Sequence, residues 1–346
     1  MTITVPLPQG GYPIHIRRGL LARSGPLLAA LPCRRWAVAA DETAAALYGG
    51  TVLESIRQAG LEVRLLTFPA GERHKTPETC LALCRQLAQL GFTRSDGLLA
   101  LGGGVTGDLA GFAAACYQRG MTLAHAPTTL LAQVDSAVGG KTAVDLPEGK
   151  NLLGTFYQPR LVLVDPDCLA TLPERELRCG AAEVIKYGMI RDSAILDLLA
   201  CAAPDWESLT ARCLTVKASL VAADERDTGV RRLLNFGHTF GHAYEAAGGF
   251  SRYTHGEAVA AGMAAMLRWQ TGRGDAGAAE ACRRLLPLLE RYGLPVSLPV
   301  AGETLRRYLA RDKKCEGDIV HAVLLRKAGD AYVEDVPLSA LWEVTP

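Results

Sequence analysis

Between Arg231 and Glu257 the chain reads RRLLNFGHTFGHAYEAAGGFSRYTHGE, which holds three of its seven histidines. His238 and His242 stand four apart, so a helix puts both imidazoles on one face. His255 follows a glycine-bearing loop able to fold back toward them. Imidazoles grouped in this way suit a divalent metal, which commonly recruits a carboxylate as well. Glu183, inside the apolar stretch GAAEVIKYGMI, is the candidate. A pair of satisfied core histidines on an alanine-rich helix competes with this explanation for His238 and His242 alone. The third histidine and the carboxylate weigh against it.

A second chemistry is suggested by Gly102, Gly104 and Gly107, spaced G-x-G-x-x-G after a strand-like run and at the start of a helix-like one. Glycines there let the backbone approach a pyrophosphate, whose charge meets amide groups and the positive helix terminus. The motif departs from the usual dinucleotide fingerprint in two ways: it is not the first strand-turn-helix unit, and Asp41, the carboxylate suited to a ribose, precedes it. A third group lies in APTTLLAQVDSAVGGKTAVDLPEGKNLLGTFYQP, where Thr128, Thr129, Asp135, Lys141, Lys150 and Asn151 could bind anions or move protons. GGKT there is not a phosphate-binding P-loop, because the first glycine of that motif would fall on Asp135. Only eight of the 37 basic residues are lysines, and Lys75, Lys141, Lys150, Lys186, Lys313 and Lys314 sit in polar or motif-like stretches. An ammonium is a compact charge with an adjustable pKa, which a guanidinium cannot replace.

The elements that must carry these residues alternate strand and helix up to PRLVLVD, the pattern of an open α/β sheet. Beyond Leu172 long alanine- and leucine-rich helical segments take over. We therefore expect an α/β domain over residues 1–171 and a mainly helical one over 172–346, sizes that a chain of 346 residues supports. In the second, Glu183 and Lys186 share a helix face and Lys217 lies on another helix. With 37 basic against 36 acidic residues there is no overall field for nucleic acid or an anionic membrane, so anion binding must be local. No leader-like start or membrane-length apolar run is present, and ten scattered cysteines without a CxxC pair fit a reducing cytoplasm.

The combination PAGERHKT, GGGVTGDLAGFAAACYQRG, PTTLLAQVDSAVGGKTAVDLPEGKN, LPERELRCGAAEVIKYG, LNFGHTFGHAYE, HGEAVAAGM and DKK resembles the 3-dehydroquinate synthase family, in order over nearly the whole chain. The resemblance implies a Rossmann-like NAD-binding domain followed by a helical domain holding metal and substrate. It assigns Glu183, His238 and His255 to the metal, usually zinc with cobalt possible, and turns His242 toward the substrate. Around the substrate it places Arg119, Lys141, Asn151, Lys186, Lys217, Arg231, Asn235, His242 and, from DKK, Lys314 in preference to Lys313. For NAD it implies Asp41, Glu72, Lys75, Gly104, Val105, Asp108, Thr128, Thr129, Lys141, Lys150 and Thr171.

The implied reaction turns the sugar phosphate 3-deoxy-D-arabino-heptulosonate 7-phosphate into 3-dehydroquinate and phosphate. It proceeds through transient oxidation with NAD, phosphate elimination, re-reduction and aldol closure. A homodimer in the cytoplasm is expected. Other sugar phosphate cyclases and a metal-dependent polyol dehydrogenase are the rivals. Asn151, Lys186, Asn235 and His242 follow the dehydroquinate synthase pattern, and a polyol dehydrogenase needs no basic phosphate cluster. An amino-dehydroquinate synthase is the hardest of them to separate.

Overall fold

Four runs in the first half of the chain, WAVAA, GLLALG, TLAHAP and LVLV, are apolar with almost no alternation, as strands buried on both faces must be. The computed structural model describes residues 1–309, 315–316 and 318–343. They form two units, Met1–Leu172 with Lys217–Arg226, and Pro173–Val216 with Asp227–Pro346.

The first unit runs β1 (Thr2–Val5), β2 (Tyr12–Ile16), α1 (Ser24–Ala29), β3 (Arg35–Asp41), α2 (Glu42–Ala44), α3 (Gly50–Gln58) and β4 (Glu62–Phe68). It continues through α4 (Pro77–Gln89), β5 (Gly97–Gly102), α5 (Gly104–Cys116), β6 (Thr122–Pro127), β7 (Lys141–Leu146), β8 (Gly149–Phe156) and β9 (Leu161–Val164). Seven strands make one sheet in the order β1-β2-β9-β6-β5-β3-β4. All its pairings are parallel except that of β1 with β2. Alternate residues serve opposite faces. Trp36, Val38, Leu99 and Leu101 pack with Leu28 of α1 and Val52 and Ile56 of α3, while Ala37, Ala39, Leu98 and Ala100 pack with Leu83 of α4 and Leu109 of α5. The chain steps outward from β3 to β4, then returns to put β5 on the other side of β3. This reversal of order opens a crevice beyond the carboxyl ends of β3 and β5, where open α/β sheets bind ligands.

The second unit contains α6 (Glu174–Ile190), α7 (Ala194–Leu199), the start of α8 (Trp206–Ala223), α9 (His238–Ala247), α10 (His255–Gly272), α11 (Ala276–Arg291) and α12 (Gly302–Leu309). A small antiparallel sheet of β10 (Cys315–Glu316), β11 (Ile319–Lys327) and β12 (Asp330–Pro337) follows. In α10 residues 258 to 267 are buried without a break, so this is a core helix covered all round over that span. It packs against α6, α9 and α11. Among the described residues no helix is long and apolar enough to cross a membrane.

Candidate functional site

Each of the three predicted metal residues is held by a local device. Glu183 lies in mid-α6, while His238 and His255 are the first residues of α9 and α10. Gly237, before His238, adopts a left-handed φ of 78°, and a side chain at Gly262 of α10 would come within 2.0 Å of its carbonyl oxygen. That close approach sets α9 on α10. Thr254 begins α10 with a capping box: its hydroxyl accepts from the Glu257 amide at 3.2 Å, and the Glu257 carboxylate accepts from the Thr254 amide at 2.8 Å. Glu257 also pairs with Arg175 of α6 at 2.9 Å. Gly256 completes the fit, since a Cβ there would lie 2.3 Å from the carbonyl oxygen of Cys179 on α6.

These devices bring one ligand atom each from Glu183, His238 and His255 within 4.8 Å of one another. The Nε2 atoms of His238 and His255 lie 3.6 and 3.4 Å from Glu183 Oε1. The opposite nitrogens are engaged elsewhere: His238 Nδ1 lies 3.1 Å from the Phe236 carbonyl, and His255 Nδ1 lies 3.4 Å from Glu245 Oε2. Outer partners of this kind fix the tautomer and aim Nε2 at a metal. His255 gives a further sign. Burial disfavours its charge, yet the hydrogen bonds to Glu183 and Glu245 and their negative charges outweigh it and push the pKa up to about 10. The same two carboxylates that favour a charged imidazole would favour a divalent cation in its place. The donor set of one carboxylate and two imidazoles fits a zinc-like ion with positions left open.

Spacing alone made His238 and His242 a ligand pair. The structure pairs His238 with His255 instead and leaves His242 outside the ligand group, its ring edge-on to that of His238 with centroids 5.6 Å apart. Lys186 forms an ion pair with Glu183 Oε2, with both side chains 1% exposed. Arg231 is buried on the short helical turn Val230–Asn235, whose last residue is Asn235.

In the first unit the crevice beyond β3 and β5 holds the dinucleotide candidates. Asp41 Oδ1 caps α2 by accepting from the amides of Thr43 and Ala44 at 3.0 and 3.1 Å, and its Oδ2 accepts from Thr106 Oγ1 at 3.0 Å. A Cβ at Gly102 would meet Thr106 Oγ1 at 2.4 Å and Asp41 Oδ2 at 3.0 Å, so glycine is required where the turn passes these groups. The Thr128 amide bonds the Gly102 carbonyl at 2.9 Å, and Thr129 Oγ1 accepts from the Ala132 amide at 3.2 Å. Beyond the turn, α5 starts at Gly104 and Val105 with its amides unspent on helix bonds. Thr171 bonds Tyr48 and the Cys168 carbonyl.

A charged network lies along α4, α5 and the β7–β8 hairpin. Lys75 Nζ is 2.6 Å from Asp108 Oδ2 and donates to Asn151 Oδ1 at 2.5 Å. Burial disfavours its charge, but Asp108, Glu72 and Asp145 raise its pKa above the ordinary lysine value. Lys150 pairs with Glu72 at 3.3 Å, and the Asn151 amide donates to Asp145 Oδ1 at 2.8 Å. Lys217, expected with the helical domain, groups with the first unit, where its Nζ meets Asp135 Oδ1 at 2.8 Å and the Asp135 carbonyl at 2.6 Å. Lys141 opens β7. Arg119 has a left-handed φ of 65° and no ion-pair partner among the described residues. Lys314 and its alternative Lys313 lie outside the described residues.

Sequence reasoning missed Glu245, the partner of His255, and the pairing of Asp135 with Lys217. Nothing but its place seven residues after His238 marks Glu245, whereas Asp135 stood in a stretch already singled out.

Family models described as the N-terminal and C-terminal parts of 3-dehydroquinate synthase match residues 65–179 and 180–315. A 3-dehydroquinate synthase of Azotobacter vinelandii is 47% identical over 353 residues, covering 98% of this chain and 95% of that protein. Among solved structures, a 2-deoxy-scyllo-inosose synthase complexed with carbaglucose-6-phosphate, NAD+ and Co2+ superposes with a TM-score of 0.90 at 26% identity, covering 99% of both chains. A 2-epi-5-epi-valiolone synthase from Streptomyces hygroscopicus, with NAD+ and Zn2+ bound, gives 0.87 at 31% identity, covering 97% of this chain and 96% of that one.

Proposed function

This chain belongs to the 3-dehydroquinate synthase family, and from that premise we propose that it converts 3-deoxy-D-arabino-heptulosonate 7-phosphate into 3-dehydroquinate and phosphate. The observation that carries the reading is the convergence of Glu183 and the two Nε2 atoms of His238 and His255, each imidazole fixed from behind. When bound, NAD supplies reversible hydride exchange and a zinc or cobalt ion supplies Lewis acidity toward the alcohol that is oxidised.

The protein's own groups do the rest. Glu183, His238 and His255 would hold the metal. Asp41 with Glu72, Lys75, Gly104, Val105, Asp108, Thr128, Thr129, Lys141, Lys150 and Thr171 would hold the dinucleotide. In that set Asp41 is already fixed by Thr106 and by the amides it caps, so its carboxylate needs no reorganisation. Arg119, Lys141, Asn151, Lys186, Lys217, Arg231, Asn235, His242 and Lys314 would receive the carboxylate, hydroxyls and phosphate. The buried charges of Lys186 and Arg231 are worth more to an anion than exposed ones. His242, whose ring stands edge-on to that of His238, would face the substrate and take part in proton transfer. A cytoplasmic homodimer belongs to the same reading.

The test is to supply the heptulosonate phosphate with NAD far below stoichiometric amounts and to follow phosphate, carbocycle and NADH absorbance together. Phosphate and carbocycle should appear in equal amounts, many per NAD, with no NADH accumulating. Stoichiometric NADH with the phosphate ester intact would favour the polyol dehydrogenase and overturn the assignment.

A further inference from the structure

A cavity of about 430 Å³ opens in the second unit, away from the metal ligands in its lining. Its walls are the end of α6, the turn Val230–Asn235 and strands β11 and β12. Three guanidinium groups line it: Arg191, Arg232 and Arg326. Arg326 is already committed, paired with Asp330 at 3.1 Å and lying 4.5 Å from the centre of the Tyr332 ring. Neither Arg191 nor Arg232 has an ion-pair partner among the described residues, and no described lining residue is a carboxylate. The lining also includes Val230, Leu233, Ala331 and Val333, with the ring of Tyr332.

Arg191 and Arg232 bring two positive charges to one concave site whose lining offers no carboxylate. A carboxylate supplies the missing opposite charge and matches the planar fork bidentately. The apolar and aromatic side chains in the same lining favour a ring over a hydrated inorganic ion, and the volume falls within the range of small-molecule sites. We propose that this cavity is a second ligand site, separate from the metal centre, for a small ring-bearing carboxylate. The turn that supplies Val230, Arg232 and Leu233 to the cavity carries Arg231 between them, buried and outside the lining. One turn thus divides two arginines between two environments.

Benzoate is the probe, titrated calorimetrically into the intact protein, with acetate as the ringless comparison and inorganic phosphate as the non-carboxylate one. We expect saturable benzoate binding with acetate at least tenfold weaker, and a loss of at least tenfold in affinity in Arg191→Ala/Arg232→Ala. A second readout protects the test against a misfolded variant. In the unmutated protein, benzoate should slow phenylglyoxal modification of Arg191 and Arg232 at least threefold, without slowing that of Arg57 on α3. No saturable heat together with unprotected Arg191 and Arg232 would overturn the proposal. So would benzoate affinity unchanged in a folded double variant, which would place the ligand elsewhere. Phosphate binding as tightly as benzoate, with the same protection, would overturn the assigned ligand class.

Discussion

Replacing Glu183 with alanine removes a candidate metal ligand and also takes a partner from a buried ammonium. Glu183 is fully buried, and Lys186, one turn on and 1% exposed, bonds its Oε2. Taking one partner out of a buried pair costs about 3–5 kcal/mol, while replacing both with apolar groups of similar volume is often near neutral. Against an ordinary stability of about 5–15 kcal/mol, the single variant stays folded with a reduced margin. With a urea dependence of about 3 kcal/mol per molar, the metal-free variant should unfold about 1 M or more earlier than the metal-free parent. Glu183→Ala/Lys186→Met should recover most of that difference while remaining unable to hold metal. The assays are urea unfolding with chelator present, and elemental analysis after reloading. Full metal occupancy in Glu183→Ala would remove Glu183 from the ligand set. An unchanged midpoint would refute the charge argument, because Lys186 would then not depend on this carboxylate.

Two further outcomes follow from the same geometry. His242→Ala should keep near-normal metal content and lose much of its turnover, whereas His238→Ala should lose both; equal loss of metal would restore the simple i,i+4 pair. Gly256→Ala should cost about 1–3 kcal/mol and weaken metal retention, because its Cβ would meet the Cys179 carbonyl at 2.3 Å and push the start of α10 off α6. Gly272→Ala on the same helix meets nothing within 4 Å and should leave both quantities unchanged or slightly improved, which a parallel melt and metal assay would show.

What was legible in the sequence was whatever depends on spacing along one element. Unbroken apolar runs announced the parallel strands, and the strand-glycine-helix order located the turn at Gly102. The helical character after Leu172 was equally plain. His238 and His242 do share a helix face, as their spacing requires. Which of them belongs with Glu183 depends on where the first residue of α10 comes to rest, and that is settled by Gly237, Gly256 and Gly262, glycines whose use appears only once two helices touch. Lys217 shows the same limit. The apolar pattern of α8 is continuous, and no periodicity reports that its last turns pack with the first unit, where Asp135 meets the ammonium. Glu245 was invisible because a buried carboxylate facing a histidine ten residues on has no signature in one dimension.

The charges around the metal candidates explain why those outer groups matter as much as the ligands. Glu183 and Glu245 bring two carboxylates into a buried cluster, Lys186 brings an amino group against Glu183, and the carboxylates favour the charged form of His255. Carboxylates and cationic groups thus offset one another, which is the condition for burying ionised groups at all. A divalent cation held there would add positive charge to this cluster. The substrate of the proposed reaction is an anion, which that added charge would favour. Glu245, set behind His255, offsets part of the charge and so acts on the cluster without being one of the three candidate ligands.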